Sequence, residues 1–188
     1  MASIALTYSE IRAAILDGDI DKALKYTKAY YANVLEDYPH IHFKLRCRQF
    51  LEVMRRYNEL HAAAVASKSR STSPSISDEH AVFDQEMELD GSWGAEMGTE
   101  EPEVTVTGQH NELLTEAVQY GQQLRMDYPN DENGGDQKML DEIFSLVAYN
   151  DPKRSVHGHY LEPAGRVAVA EELNSAILGV SFHSPLST

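Results

Sequence analysis

Apolar residues in the first third of this chain recur three and four positions apart, the spacing of a helix with one buried face. Ile11, Ala14 and Ile15 make the first such stripe. Ahead of it, Thr7-Tyr8-Ser9-Glu10 has the form of a capping box and predicts a helix starting at Thr7. Asp17-Gly18-Asp19 predicts where that helix stops, because Gly18 tolerates a left-handed cap and Asp19 can cap a second helix. The second helix carries Ile20, Ala23, Leu24, Thr27, Tyr31 and Val34 on one face. Pro39 suits the first turn of a third and longest helix, where its missing N–H would have had no partner. Along that helix run Phe43, Cys47, Phe50, Met54, Tyr57 and His61, and Leu45 and Leu51 widen the stripe as in core-facing helices.

Helical patterning returns after Gly108. Leu114, Ala117, Val118, Gly121, Arg125 and Tyr128 share a face, flanked by Leu113 and Leu124, until Pro129 and the loop NDENGG stop the helix. Asp136 is expected to cap the next one, whose stripe is Leu140, Ile143, Phe144 and Val147 and which ends at Asn150-Asp151-Pro152. Pro163 stands near the start of a last helix bearing Val169, Leu173, Ala176, Ile177 and Val180. No segment sustains strand alternation, and Val104 to Thr107 is too short to build a sheet. The two blocks do not repeat at a fixed period, so a TPR or HEAT array is disfavoured. The expected fold is all-α, a bundle of about six helices.

Charge changes the picture between the blocks. From Asp78 to Glu103 there are ten acidic residues and no Lys or Arg, preceded by the Ser-rich ASKSRSTSPSIS. Outside that window 20 acidic residues face 16 basic ones, a net of −4 against −14 for the whole chain. Such a segment cannot bury enough apolar surface to offset its ordering entropy. The expected organisation is therefore a helical block over 1–66, a disordered Ser-rich and acidic linker over 67–108, and a second block over 109–188 packing with the first as one domain. Val82, Phe83, Met87, Leu89, Trp93 and Met97 punctuate the acidic run and read as leftover apolar residues or as a docking motif. Ser71, Ser73, Ser75 and Ser77 are candidate phosphorylation sites, Ser73-Pro74 most obviously.

The acidic balance argues against nucleic acid and anionic membrane as partners, since both call for basic surface. One cysteine leaves no disulfide framework within the chain and no multi-cysteine zinc module. No apolar run approaches the length of a membrane span, and MASIALTYSEIR does not have the form of a signal peptide. These features lead to the expectation of a cytoplasmic or nuclear protein.

Reactive chemistry has no visible seat. His40 and His42, like His157 and His159, are two positions apart, which on a helix sends the side chains in different directions. Cys47 falls within an apolar stripe and reads as a structural thiol, although Arg46 and Arg48 flank it. Asp17-Gly18-Asp19 lacks the further acidic ligands of a calcium loop. No catalytic residue, metal site, cofactor or small-molecule substrate is expected.

The segment IRAAILDGDIDKALKYTKAYYANVLEDYPHIHFKLRCRQFLEVMR closely resembles a CTLH motif, in its Ile-Arg start, its Gly-Asp-Ile turn, its short-to-long helix order and the run from Phe43 to Phe50. EAVQYGQQL, LVAYNDPKRS and VAEELNSAIL are similar to the CRA region of RanBPM-type scaffold proteins. The resemblance covers about 130 residues and leaves out the acidic insert. It implies a non-catalytic subunit of a GID/CTLH-type ubiquitin ligase, whose partners are other CTLH/LisH-type subunits, with homo-oligomerisation or a Ran GTPase-linked adaptor role as further options. By matching segment, it places Phe43, Leu45, Phe50 and Met54, with Leu114, Val118, Ile143 and Phe144, in a CTLH–CRA core or interface. Leu173, Ile177 and Val180 belong to a returning helix. RanBPM-type proteins carry SPRY and LisH parts ahead of CTLH, and Met1 to Leu6 are too few to hold a LisH. The expectation is thus a fragment, a short gene product or a truncated paralogue whose last helix lacks its usual packing partner.

Deleting Ser69 to Glu103 is expected to leave the helical content and cooperative unfolding intact. Far-UV circular dichroism during thermal unfolding checks this, and a lost cooperative transition would show that the insert is structural.

Overall fold

The computed structural model describes residues 2–71, 103–129 and 135–183, with backbone alone at 2–6, 68–71, 103–107 and 180–183. The described residues form seven α-helices and three short 3-10 turns, with no strand among them. In chain order the helices are α1 (Ala2–Asp17), α2 (Ile20–Tyr30), α3 (Ala32–Asp37), α4 (Pro39–Ser71), α5 (Glu103–Asp127), α6 (Gly135–Phe144) and α7 (Ala164–His183). The 3-10 turns Ser145–Ala148, Pro152–Arg154 and Gly158–Leu161 lead from α6 to α7.

The first helix ends as the sequence predicts. Gly18 has a φ of 85°, its N–H donates to the Ile15 carbonyl at 3.1 Å, and the Asp19 N–H donates to Ala14 at 2.8 Å. These are the paired bonds of a Schellman ending. The Asp19 carboxylate then accepts the Lys22 N–H at 3.1 Å and opens α2.

Its start differs from the expectation. α1 begins at Ala2, so Thr7 is an interior helical residue, buried rather than capping. Residues 2–6 contain no helix breaker, so the helix continues through them. The second predicted helix is two. Thr27 Oγ1 donates to the Ala23 carbonyl at 2.8 Å, a back-bond that bends helices, and Tyr31 leaves the helical region at φ −139°. The chain restarts as α3, which brings Val34 and Leu35 together into the core.

Two apolar cores flank α4. In the first, Ile41 and Leu45 of α4 pack with Ile11 and Ile15 of α1, Ile20 and Leu24 of α2, Val34 of α3, and Leu173 and Ile177 of α7. In the second, Phe43, Cys47, Phe50, Met54 and Tyr57 of α4 pack with Ala117 and Leu124 of α5, Leu140 and Ile143 of α6, and Leu146. At about 100° per residue these sets lie on opposite sides of one helix. Each fully buried Phe, Ile or Leu here contributes roughly 2–3 kcal/mol. The last helix is therefore not left without a packing partner: Ala170, Leu173, Ala176 and Ile177 are buried against α1, α3 and α4.

α5 runs antiparallel to α4, with Phe43 against Tyr128 at one end and Tyr57 and His61 against His110 at the other. Its buried line is Ala117, Gly121 and Leu124. Ala117 and Gly121 lie on the predicted line, but its other members are rotated off the buried one, with Leu114, Val118 and Tyr128 half-buried and Arg125 exposed. Arg125 instead pairs with Asp141 and lays its guanidinium over the Phe144 ring at 4.7 Å. Asp136 lies in the first turn of α6, which starts one residue earlier, rather than at its cap. Beyond Phe144 the tighter 3-10 turn moves the buried position from Val147 to Leu146, because side chains three apart then align. The helices also pass the expected limits of the insert, α4 reaching Ser71 and α5 starting at Glu103 so that Val104 to Thr107 are helical. The rest of the insert, 72–102 with Ser73, Ser75 and Ser77 and the apolar residues from Val82 to Met97, lies outside the described residues.

Gly121 marks the closest approach. A Cβ there would lie 2.4 Å from the Phe144 ring and 3.2 Å from Phe50, whereas one at Gly108, on the same helix, meets nothing within 4 Å. Gly121→Ala is expected to destabilise by about 1 kcal/mol, overpacking outweighing the helix-propensity gain. Gly108→Ala is expected to stabilise by about 0.5–1 kcal/mol. Urea unfolding of the two variants checks the opposite signs.

Candidate interaction surfaces around the central helix

The α4 face that begins with Ile41 and Leu45 continues at helical spacing into Arg48 and Glu52. Both charged side chains are 2% exposed. Glu52 Oε1 accepts from Arg48 Nε at 2.7 Å and Arg166 Nε at 2.8 Å, while Oε2 accepts from Arg55 Nε at 2.8 Å and Arg166 Nη2 at 2.5 Å. The guanidiniums reach further. Arg166 Nη1 donates to the Leu16 carbonyl at 2.9 Å, and Arg48 Nη1 donates to the Tyr160 carbonyl at 3.1 Å. One cluster thus joins the end of α1, the middle of α4, the last 3-10 turn and the start of α7.

Two glycines admit this cluster. A Cβ at Gly18 would lie 2.7 Å from Arg166 Nη2, and one at Gly165 would lie 2.7 Å from Arg48 Nη1. Burial by itself would raise the Glu52 carboxyl, but hydrogen bonds from Arg166 and Arg55 and the charge of Arg48 outweigh it and hold it at about 2. Its role is structural, since every oxygen is already engaged.

A second polar chain crosses one flank of α4. Tyr120 Oη donates to Gln49 Oε1 at 2.6 Å and accepts from Arg46 Nε at 2.6 Å. Gln49 continues to Asp21 at 2.5 Å, and Arg46 continues to Asp127 at 3.3 Å. Burial pushes the Tyr120 phenol up to about 12, so it stays neutral. This chain ties α2, α4 and α5 together at the surface. On the other side, an open groove of about 660 Å³ separates the start of α4 from α7, with Tyr38, Ile41 and Lys44 facing Ala168, Glu172 and Ser175. Lys44 spans it to Glu172 at 2.7 Å.

The predicted interface residues fall into both cores. Phe43, Phe50, Met54 and Ile143 are buried in the α4–α5–α6 core, with Leu114 and Phe144 half-buried against it. Leu45, Leu173 and Ile177 belong to the other core. Val118 is half-buried, and the Val180 side chain lies outside the described residues. Neither predicted imidazole pair gathers a third ligand among the described residues. His42 lies 3.3 Å from Tyr128 Oη while His40 is exposed, and His157 and His159 lie against Tyr160. No group of three or more His, Cys, Asp or Glu among the described residues could hold a metal ion. Cys47 is buried and burial pushes its thiol up, the opposite of what a nucleophile needs. Sequence reasoning missed Arg48, Glu52 and Arg166, although the register of Arg48 and Glu52 with Ile41 and Leu45 was a signal.

With this geometry in place, comparison with known proteins is decisive. The profile of the CTLH/CRA C-terminal to LisH motif domain matches residues 5–188. The chain belongs to the CTLH/CRA family. Ran-binding protein 9 of Xenopus tropicalis is 31% identical over 102 residues, 52% of this chain and 17% of that protein. Ran-binding protein 9 of Homo sapiens is 47% identical over 57 residues, 30% of this chain and 8% of that protein. Ran-binding protein 10 of Danio rerio is 38% identical over 74 residues, 36% of this chain and 12% of that protein. The CTLH/CRA chain thus spans between 8% and 17% of the length of these relatives. No solved structure matches it. In this CTLH/CRA chain, the α5–α6 and α7 portions pack on opposite faces of α4.

The Glu52 cluster gives an acid-sensitive term. Its folded pKa of about 2 lies below the ordinary 4.5, so its contribution is present above pH 4.5 and lost as pH falls toward 2. That contribution is about 3 kcal/mol. Glu52→Gln is expected to destabilise by about 3 kcal/mol at neutral pH, removing the counter-ion of the buried Arg48 and of Arg166, and to flatten the acid limb. Glu59→Gln, at an exposed ion pair, is expected to change stability by about 0.5 kcal/mol or less. Chemical denaturation across pH 2–7 reads both effects.

Proposed function

We propose that this chain is a non-catalytic protein-interaction scaffold that joins CTLH/LisH-type subunits of a GID/CTLH-type ubiquitin ligase in the cytoplasm or nucleus. The observation that carries this reading is the family match over residues 5–188, nearly the whole chain. The structure supports it in two ways. Between Ile41 and Tyr57 both faces of α4 are covered by the chain's own helices, giving a packed frame. The polar and reactive side chains described above are engaged in structural bonds rather than converging on a substrate.

Affinity purification of the tagged chain from its own cell extract, with mass spectrometry, is expected to recover CTLH/LisH-type subunits together with RING-bearing partners. Recovery of none of them would sink the assignment.

The names of the relatives favour one second reading, an adaptor linked to the Ran GTPase. Ran loaded with a GTP analogue or with GDP separates the two. The scaffold reading expects no nucleotide-dependent binding, and binding to one nucleotide state alone would favour the adaptor.

A further inference from the structure

The far end of the α4–α5 pair is closed by two histidines. There His110 of α5 lies against Tyr57 of α4, with ring centroids 4.1 Å apart and planes at 30°. It also lies against His61, one turn further along α4, at 5.5 Å and 35°. Tyr57 is buried, and both imidazoles are half-buried. Past this layer Ala62, Ala63, Val65 and Ala66 of α4 are exposed, as are Gly108 and Gln109 of α5. Among the described side chains these are the last ring contacts between the two helices, which run on to Ser71 and Glu103.

What holds this layer depends on protonation. Neutral imidazoles pack against each other and against a phenol as aromatic rings do, whereas two protonated ones at this distance repel. His110 Nε2 is buried and has no hydrogen-bond partner among the described residues, so a proton placed there meets no acceptor. No carboxylate offsets the charge. On α4, Glu59 is exposed and already paired with Arg55. On α5, Glu112 and Glu116 are exposed. The 3-10 turn Pro152–Arg154, which meets α4 at Asn58, brings the cations Lys153 and Arg154, with Asp151 paired to Arg154. Ser145–Ala148, against α5, brings no ionisable group, and α6 meets α5 at Gly121, about three turns away. Burial pushes the Tyr57 phenol up, so it stays neutral. Burial, and after it the charge of His61, hold the His110 imidazole below the ordinary 6.5.

We propose that His61 and His110 form a proton-sensitive clasp: as neutral rings they hold the far ends of α4 and α5 together, and protonation of the pair releases them. The closed arrangement favours neutral His110, so closure is fully held above the ordinary 6.5 and weakens as pH falls below it. Release is local. Ala117, Leu124 and the rest of the second core lie inside the clasp, and Glu52, held at about 2, keeps its charge throughout this range. The opposite end of the pair is built differently, since His42 there faces Tyr128, Lys28, Arg46 and Asp127 rather than a second histidine. The clasp rests on ring geometry and burial, so it stands or falls separately from the scaffold reading.

Hydrogen exchange of the full chain at about pH 7.5 and about pH 5.5, read by mass spectrometry as protection factors, tests the clasp. Amides of residues 62–66 and 108–113 are expected to lose protection about tenfold at the lower pH, and those of 117–124 to change by no more than about twofold. His110→Phe keeps a flat ring in the layer but takes up no proton, and is expected to abolish the loss. His61→Gln is expected to reduce the loss and to raise the titration point of His110, followed by NMR of its ring protons. His40→Gln, at an exposed position on α4, is expected to leave the loss in place. Equal protection of the parent chain at the two pH values would overturn the proposal. So would an undiminished loss in His110→Phe, or a His110 titration unmoved by His61→Gln. The parent-chain measurement and the titration decide the matter even where the phenylalanine variant does not fold.

Discussion

A carboxylate buried on the α4 face that continues the first apolar core is the constraint around which this molecule is arranged. Glu52 cannot stay charged at 2% exposure unless its oxygens are saturated, and three guanidiniums saturate them. The guanidiniums in turn need acceptors, and they find the backbone carbonyls of Leu16 and Tyr160. Apolar contact has no preferred direction, whereas a guanidinium–carboxylate fork does. The cluster therefore supplies the angular information that sets α1, α4 and α7 relative to one another. Gly18 and Gly165 leave room for it, so two small residues far apart in sequence serve one site.

The same helix carries this cluster and both cores. One face of α4 turns from Ile41 and Leu45 into the charged pair, and the opposite face runs apolar from Phe43 to Tyr57. Between Ile41 and Tyr57 α4 is covered on both sides, so this stretch is a spine. On the scaffold reading, partners meet what the spine holds in place, such as the groove beside α7 and the polar chain through Tyr120.

Much of the fold was legible in the chain. Gly18 and Asp19 mark a helix boundary by local chemistry alone, and the stripe from Phe43 to Tyr57 is regular enough to identify the longest helix. The misreadings have local physical causes. Thr7 looked like a cap because the residues of a capping box can also occur inside a helix. Tyr31 looked continuous because a single back-bond at Thr27 leaves no mark in hydrophobic spacing. Leu146 was passed over for Val147 because a 3-10 turn changes the period within one turn. Of the interface candidates, Phe43 and Leu45 were read as one group, yet they point into different cores.

By itself, then, the sequence determined the all-α class, most helix boundaries and the membership of a known family, because capping chemistry and helical periodicity are local. Tertiary structure alone decided that α4 is buried on two faces, that α7 returns to α1, and that Glu52 gathers arginines from positions more than a hundred residues apart. A buried charge becomes tolerable only when distant partners reach it. No local pattern in the chain records that meeting.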